Sequence, residues 1–257
     1  MNAVTAPVLV ALLLLLPVSA SAIDHANLDE GRPVRVEDAY AIPTGEIAVE
    51  TGAGVTLRHH GGNRGFFPIE FWYGALANFQ IGIGTTLSTN PHEIEEPPKA
   101  GDVRIGALYN LNQETLSMPA FGMRVDVEVP TGVDSKGVDI AVKGIVTKSF
   151  ERLTLHLNAG YEFVTASGRD ERDGRYTLAI GGSYPLGAPL FTRATLVGDV
   201  FAEQSLRRRD STTVGAELGG RYQLTPRMVW DVGVGTEFAG PGDRSTFSFT
   251  TGLSFGF

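Results

Sequence analysis

The feature that most constrains this chain is a series of twelve runs in which apolar and small polar residues alternate. In LTLHLNAGYEF, for example, Leu153, Leu155 and Leu157 alternate with Thr154 and His156. A period of two predicts β-strands with one apolar and one polar face. Each run can supply the ~9–11 tilted residues that cross a bilayer. The runs lie near residues 44–59, 66–76, 79–88, 102–111, 119–129, 138–149, 153–164, 175–186, 190–203, 212–224, 227–238 and 245–257.

The connections between these runs alternate in character. One set consists of tight turns, with NQETLSM (112–118) as the longer exception: Ala77-Asn78, Glu151-Arg152, Gly187 to Pro189 and Thr225-Pro226. The other set consists of charged loops such as TNPHEIEEPPKAG and ASGRDERDGR. We call the two ends of the predicted sheet the turn end and the loop end. An even strand number with this asymmetry predicts an all-β fold, a twelve-stranded antiparallel up-and-down transmembrane β-barrel.

A soluble β-sandwich is the alternative fold. Its charged faces would point to bulk water, whereas the polar faces here are rich in Gly, Ser and Thr with sparse charges of both signs. Small residues suit a crowded or water-filled lumen, and the opposite faces carry the Val, Leu, Ile and Phe that lipid requires. Aromatic residues near the run ends also resemble two interfacial girdles. They are Tyr109, Phe121, Phe150, Tyr184, Phe191, Tyr222, Trp230 and Phe257 at the turn end, and Phe67, Phe163, Tyr176, Phe238 and Phe247 at the loop end.

The start of the chain predicts export. Residues 1–22 contain a short leucine-rich stretch followed by Ala20 and Ala22, which fits a secretory signal peptide cleaved before Ile23. An uncleaved anchor is the alternative, although this apolar stretch is short for a membrane span. Residues 23–43 are then predicted to be a periplasmic N-terminal segment, and 44–257 the barrel.

Charge and cysteine content argue against several classes of function and of structural site. The formal net charge is −8, and the signal region carries no charge. Nucleic-acid binding is disfavoured, because a phosphate-binding face needs a basic patch. The chain has no cysteine, so neither a disulfide framework nor a thiolate metal site is possible.

Charged residues mark the predicted inward faces. If the NQETLSM turn is symmetric, Arg104 lies opposite Asp126, and a modest stagger brings Lys143 near the same carboxylate. Arg221 faces Asp231 across the Thr225-Pro226 turn. Such residues brace the wall as a salt-bridge ladder or form a charged constriction that selects solutes. The set on three consecutive strands is Arg104, Arg124, Asp126, Glu128, Asp139 and Lys143.

The histidines offer little chemistry. His59, His60 and His92 lie in loops without metal-ligand spacing, and solvated loop residues explain them better than a rim metal site. His156 lies on a polar face with Thr154 and Asn158. A lumen histidine explains it better than the base of a hydrolase, because no nucleophile and acid accompany it in sequence. We predict no catalytic residue, no metal and no cofactor.

The end of the sequence, STFSFTTGLSFGF, predicts a barrel-closing strand. Its apolar positions Phe249, Leu253, Phe255 and Phe257 share one parity. A last strand paired with the first leaves no edge unpaired in lipid. The pattern also resembles the C-terminal signal by which the barrel-assembly machinery recognises its clients.

Three stretches resemble a known family. RVEDAYAIPTGEIAVETG, MPAFGMRVDVEVPTGVDSKG and LHLNAGYEF are similar to members of the MetA-pathway phenol-degradation family, and the resemblance covers most of residues 35–257. It implies an outer-membrane β-barrel that passes small molecules, aromatic compounds among them. It transfers no catalytic or binding residue.

The sequence therefore predicts an outer-membrane channel for passive or facilitated passage of small molecules, not an enzyme. Its expected partners are outer-membrane lipid, the barrel-assembly machinery and a small solute. Two alternatives stay open. One is an outer-membrane lipid-modifying enzyme with His156 as base. The other is a non-conducting structural barrel, its lumen closed by side chains or by residues 23–43.

Overall fold

The computed structural model describes residues 23–29, 31–60, 62–89, 98–133, 135–188 and 192–257, and the predicted signal peptide and His92 lie outside them. The described chain is all-β. No helix in it is long and apolar enough to cross a membrane. The strands are β1 (Ile47–Arg58), β2 (Arg64–Leu76), β3 (Phe79–Thr89), β4 (Lys99–Ala100), β5 (Val103–Asn112), β6 (Ala120–Val129), β7 (Asp139–Phe150), β8 (Leu153–Phe163), β9 (Gly174–Leu186), β10 (Ala194–Glu203), β11 (Thr213–Thr225), β12 (Met228–Ala239) and β13 (Ser245–Gly256).

The twelve long strands form one closed antiparallel barrel, as predicted. Each pairs with its neighbours along the chain, and β1 pairs with β13 from Ala48↔Gly256 to Arg58↔Ser245. The two-residue β4 adds only a short pairing to the loop end of β3. Closure removes the free strand edges that a bilayer cannot hydrate.

The outward face of the barrel is apolar. Along β8, Leu153, Leu155 and Leu157 are exposed while His156 and Asn158 are buried. The described aromatics of both predicted girdles, except Phe257, are among the exposed residues; Phe191 lies outside the described residues. An apolar exterior around a polar interior is the reverse of a soluble protein, and it fits a barrel surrounded by lipid.

The described part of residues 23–43, which we call the N-terminal segment, lies inside the barrel. The segment begins at the turn end, where His25 Nδ1 lies 2.7 Å from Thr195 Oγ1. It reaches towards the loop end at Arg35, which contacts Glu203 at the end of β10. It then returns, and Ile42 N donates to Gln80 Oε1 near the start of β3 (2.7 Å). The segment thus enters and leaves through the turn end.

Inward-facing glycines make room for this segment. A Cβ on Gly233 would collide with the carbonyl oxygen of Pro33, and one on Gly252 would collide with the guanidinium of Arg32. Glycine is needed at Gly233 because the backbone of the segment lies against the wall there, whereas at Gly252 the absent side chain leaves space for the Arg32 guanidinium. Some of the glycines scattered through the alternating runs therefore serve packing against the segment.

Candidate functional site

The N-terminal segment contacts the wall around its full circumference. At least one inward residue of every long strand lies against it through a hydrogen bond, an ion pair or a close glycine approach. Contact with all twelve strands means that the segment lies across the lumen. Taken in strand order, one contact from each strand is Glu50, Gly74, Gln80, Asn110, Arg124, Thr147, Asn158, Gly181, Asp199, Arg221, Asp231 and Gly252.

Two of these contacts are made by the predicted pair of Arg221 and Asp231. The predicted register is confirmed, since the two residues face each other between β11 and β12. Their ion pairs nevertheless go to the segment. Asp231 Oδ2 accepts from Arg32 Nη1 at 3.0 Å, and Arg221 Nη1 donates to Asp29 Oδ2 at 2.9 Å. Arg32 Nη2 also lies 3.4 Å from Glu50 Oε2.

Glu37 is a second anchor of the segment. Its carboxylate accepts from Arg124 Nη1 (2.7 Å) and from Lys143 Nζ (3.2 Å), so it lies between two bases of neighbouring strands. The Asn158 side-chain amide bonds to both backbone groups of Glu37, accepting from N at 2.7 Å and donating to O at 2.9 Å. These contacts hold both the backbone and the side-chain carboxylate of Glu37 in place.

The predicted cluster of Arg104, Asp126 and Lys143 needs correction. Arg104 lies opposite Glu128, not Asp126, because the β5–β6 turn is asymmetric and β5 has an irregularity near Asn112. Arg104 is ion-paired with Glu70, and its Nε lies 3.9 Å from Asp126 Oδ1. Lys143 lies opposite Arg124 and binds Glu37.

Asp126 forms its closest ion pair with a residue of its own strand. Arg124 donates to it through Nε (2.8 Å) and Nη2 (3.0 Å), a bidentate pair in which the arginine is 2% exposed. The Arg124 guanidinium also lies over the Trp72 ring, 4.7 Å from its centroid. A buried charge with two carboxylate partners and an aromatic face is well compensated, so this part of the predicted set braces the wall.

A cavity of about 540 Å³, which we call the vestibule, lies on the loop side of the segment. Arg32 and Arg35 of the segment line one part of it. Near the loop ends of the strands, Glu128, Asp139 and Glu237 line another. The lining carries eight carboxylates and five basic side chains, so acidic groups outnumber basic ones.

Arg35 projects from the segment into the vestibule. It contacts Glu203 Oε2 (2.5 Å) and Glu217 Oε1 (3.4 Å), and its guanidinium stacks 3.7 Å from the Phe201 ring centroid. Burial opposes its charge, but Glu203 and Glu217 outweigh burial and raise the pKa of Arg35 above its usual value. The segment is thus held by charge at its innermost point.

Three vestibule carboxylates lie together. Oxygens of Glu128, Asp139 and Glu162 are within 4.8 Å of one another, and this is the one such group among the described residues. Glu162 is already ion-paired with Arg175. We assign no metal to this group.

His156 is buried beside the segment. Its Nδ1 lies 3.2 Å from Thr147 Oγ1, its Nε2 lies 3.3 Å from Ser183 Oγ, and Thr147 Oγ1 also accepts from Ala39 N of the segment. Hydroxyl groups therefore occupy both ring nitrogens, and neither nitrogen is oriented by a carboxylate. A general base that activates serine requires such an orienting group and access for substrate, and His156 is only 3% exposed.

The barrel closes at the end of the chain. Phe257 N donates to Ile47 O (2.8 Å), and Ile47 N donates to Phe257 O (3.0 Å). Phe249, Leu253 and Phe255 lie on β13 and share one parity. Their predicted role as an assembly signal stays a prediction.

Comparison with known proteins agrees with this architecture. The sequence profile of the family described as "Putative MetA-pathway of phenol degradation" matches residues 30–254. The chain belongs to this family. A search of curated protein sequences found no match.

This member of the MetA-pathway family shares its fold with several solved structures. It is similar to the COG4313 outer membrane channel from Pseudomonas putida F1, at 14% identity and a TM-score of 0.64, over 90% of this chain and 100% of that chain. It is similar to the NanC porin at 12% identity and a TM-score of 0.60, over 81% and 98%. The KdgM porin matches at 12% identity and a TM-score of 0.55, over 82% and 99%. At these identities the likeness shows the barrel fold.

The sequence analysis of this family member missed the segment residues of the site. Asp29, Arg32, Arg35 and Glu37 all pair with wall charges. Two signals were available. The segment is dense in charge for its length, and Val34 and Val36, both buried, interleave with those charges. A free periplasmic extension has no need of such apolar positions.

Proposed function

We propose that this protein is an outer-membrane channel for small molecules in which the N-terminal segment is the gate. The observation that carries the proposal is the contact of the segment with all twelve strands beneath an open vestibule. A solute that enters the vestibule from the loop end meets the segment before it can reach the turn end. Passage therefore requires the segment to move or to rearrange within the lumen.

The segment is anchored to the wall by two kinds of contact. Ion pairs and hydrogen bonds, such as those of Arg32 with Asp231 and Glu37 with Arg124, join groups that can be rehydrated if the segment withdraws. Buried apolar residues of the segment, among them Val34 and Val36, also pack against wall residues such as Phe201, and these contacts oppose withdrawal. The polar share of the interface supports a gate over a permanent filling. Both ends of the segment lie at the turn end, so it can withdraw in that direction without crossing the barrel.

For the solute, the support is coarser. The vestibule volume suits molecules of a few rings or fewer, and Phe66 and Phe201 contribute aromatic surface to its lining. Together with the family description, which refers to phenol degradation, this makes small aromatic compounds the solutes to test first. We place the loop end at the cell surface, because in barrels of this type long loops are extracellular and short turns periplasmic.

Single-channel recording in planar bilayers tests the gate. The purified protein should conduct weakly or in brief openings, and a variant lacking residues 26–41 should give larger, steady conductance. Heat-modifiable migration on gels verifies that each barrel is folded before it is recorded. If the folded deletion variant is as silent as the full chain, the protein is a structural barrel and the channel proposal fails.

A further inference from the structure

Two neighbouring loops at the loop end are joined into one rigid unit. Arg172, between β8 and β9, donates to the carbonyl oxygens of Ser205 (2.8 Å), Arg207 (2.5 Å) and Arg208 (3.0 Å) in the loop between β10 and β11. Two backbone bonds reinforce this staple, from Arg172 N to Leu206 O and from Arg208 N to Asp170 O. The loop backbone at 205–208 is therefore held in one conformation.

This unit presents Arg207, Arg208 and Arg209, a run that we call the arginine tip. All three are exposed, and none forms an ion pair with any other described residue. Three nearby acids accept hydrogen bonds from neutral groups, Asp210 from Ser205 Oγ, Asp173 from Ser167 Oγ and Glu171 from Gly168 N. Three adjacent guanidiniums on a stapled loop concentrate positive charge at one place on a protein whose net charge is −8, and such a patch attracts anions.

The arginine tip adjoins the outer, lipid-facing side of the wall. Tyr176 projects outward from β9 and is 44% exposed, and its hydroxyl lies 3.3 Å from Thr212 Oγ1. Thr212 follows the tip by three residues, so the returning arm of the loop passes over the outer face of β9. On the adjacent strand β8, the outward rings of Tyr161 and Phe163 pack with centroids 4.8 Å apart. The tip thus lies above an interfacial aromatic belt.

We propose that the arginine tip binds the phosphate groups of a phosphorylated lipid in the leaflet at the loop end. Guanidinium matches phosphate geometry with paired hydrogen bonds and stays charged at all relevant pH values. The aromatic belt places the acyl boundary directly below the tip, which is the height at which lipid headgroup phosphates lie. The inference rests on the loop end facing the outer leaflet, and it does not depend on conduction.

The test uses the full mature chain in a zwitterionic detergent and bisphosphorylated lipid A as the probe. Native mass spectrometry gives the apparent Kd for the first bound lipid. The variant Arg208→Gln/Arg209→Gln spares Arg207, whose backbone bridges to Glu171. The matched control, Arg193→Gln/Arg227→Gln, removes the same charge at the turn end. Heat-modifiable migration verifies folding of both.

We expect the tip variant to bind about tenfold more weakly, as loss of charge-assisted bonds to one phosphate implies. The control should bind as the wild type does. Lipid A stripped of both phosphates should bind the wild type no better than it binds the tip variant. Equal losses in the two variants would show general charge attraction, and undiminished binding of the phosphate-free lipid would show acyl-chain binding. Either result overturns the proposal.

Discussion

Arg32 Nη1 lies 3.0 Å from Asp231 Oδ2, which joins the N-terminal segment to a strand 199 residues away. Both side chains are almost fully buried, at 8% and 1% exposure. The strand partner that faces Asp231 across the sheet, Arg221, binds Asp29 of the same segment. Two wall charges of opposite sign are thus both paired with segment charges.

Removing Arg32 should loosen the segment. Loss of one partner of a buried ion pair costs about 3–5 kcal/mol when the other charge stays buried, and withdrawal of the segment relieves that cost by letting water reach Asp231. In a Val36→Cys background, where the cysteine is the only one in the chain, we expect Arg32→Gln to increase maleimide labelling at least ~10-fold. The exposed Arg64 gives the control Arg64→Gln. Equal labelling in the two variants would mean that Arg32 does not hold the segment.

Binding of the N-terminal segment inside the lumen should weaken as pH rises. Burial raises the pKa of Asp38 from 3.8 to about 7, although the N–H groups of Leu28 and Tyr40 bond to its carboxylate and act in the opposite sense. The pKa of Asp38 is higher when the segment lies in the lumen than when the segment is withdrawn into water. The carboxyl group therefore stabilises the bound segment at pH values below the pKa of the withdrawn state, and this stabilisation is lost as the pH rises through the pKa of the bound state. Conductance should therefore increase between pH 4 and 8.

The variant Asp38→Asn should lose this increase, because an amide does not titrate. Asp24, an exposed carboxylate of the same segment, gives the control Asp24→Asn, which should keep the wild-type profile. A profile for Asp38→Asn that rises as steeply as the wild type would assign the pH dependence to another group.

Asp126 should influence ion selectivity. It lines the vestibule and is bound by Arg124, so the change Asp126→Asn leaves one more uncompensated positive charge in the lumen. We expect the reversal potential in a salt gradient to shift towards anions by several millivolts. Asp243→Asn, at an exposed loop, is the control. An unshifted potential in a verified open channel would limit Asp126 to bracing the wall.

Loss of Phe257 should impair barrel insertion. The residue makes two backbone hydrogen bonds to Ile47 where the first and last strands meet, and it belongs to the proposed assembly signal. Deleting it should lower the heat-modifiable, membrane-inserted fraction several-fold. Deletion of Gly242, which has open space around it, is the matched control. A truncated chain that accumulates as a soluble folded monomer would contradict both the closure and the signal.

The barrel could be predicted from sequence because its determinants are local. Period-two alternation fixes both the strands and the face that each residue occupies, and the outward Leu153 and inward His156 were placed on the correct faces. Register across short turns was also accessible, as for Arg221 and Asp231. The same reasoning gave the wrong register for Arg104 and Asp126, because the β5–β6 turn is asymmetric. The sequence of a seven-residue turn does not determine which residues of the two strands lie opposite each other.

Occupation of the lumen by residues 23–43 was one of the alternatives left open by the sequence, but the contacts that hold the segment there could not be predicted in the same way. Contacts between Glu37 and Arg124 or between Arg32 and Asp231 join residues far apart in sequence, and no periodicity within the segment specifies which strand each residue will meet. The inward charges of the wall were identified, but their partners were sought only on neighbouring strands. Inward Gly233, read as part of a strand, gave no separate indication that Pro33 would lie against it.

The most direct test of the gate is a reversible cross-link between the segment and the wall. A Cβ on Gly122 would lie 3.3 Å from Cβ of Ala39, so a shift of a few tenths of an ångström brings the pair into the range of about 3.5–4.5 Å that disulfides show. The wild-type chain has no cysteine that could compete. Single-channel conductance of Ala39→Cys/Gly122→Cys is recorded oxidised and then after reduction, with each single variant as control. The gate predicts that the oxidised channel stays closed and that the brief openings expected of the wild type return on reduction. An oxidised channel that conducts as well as the reduced one would contradict it.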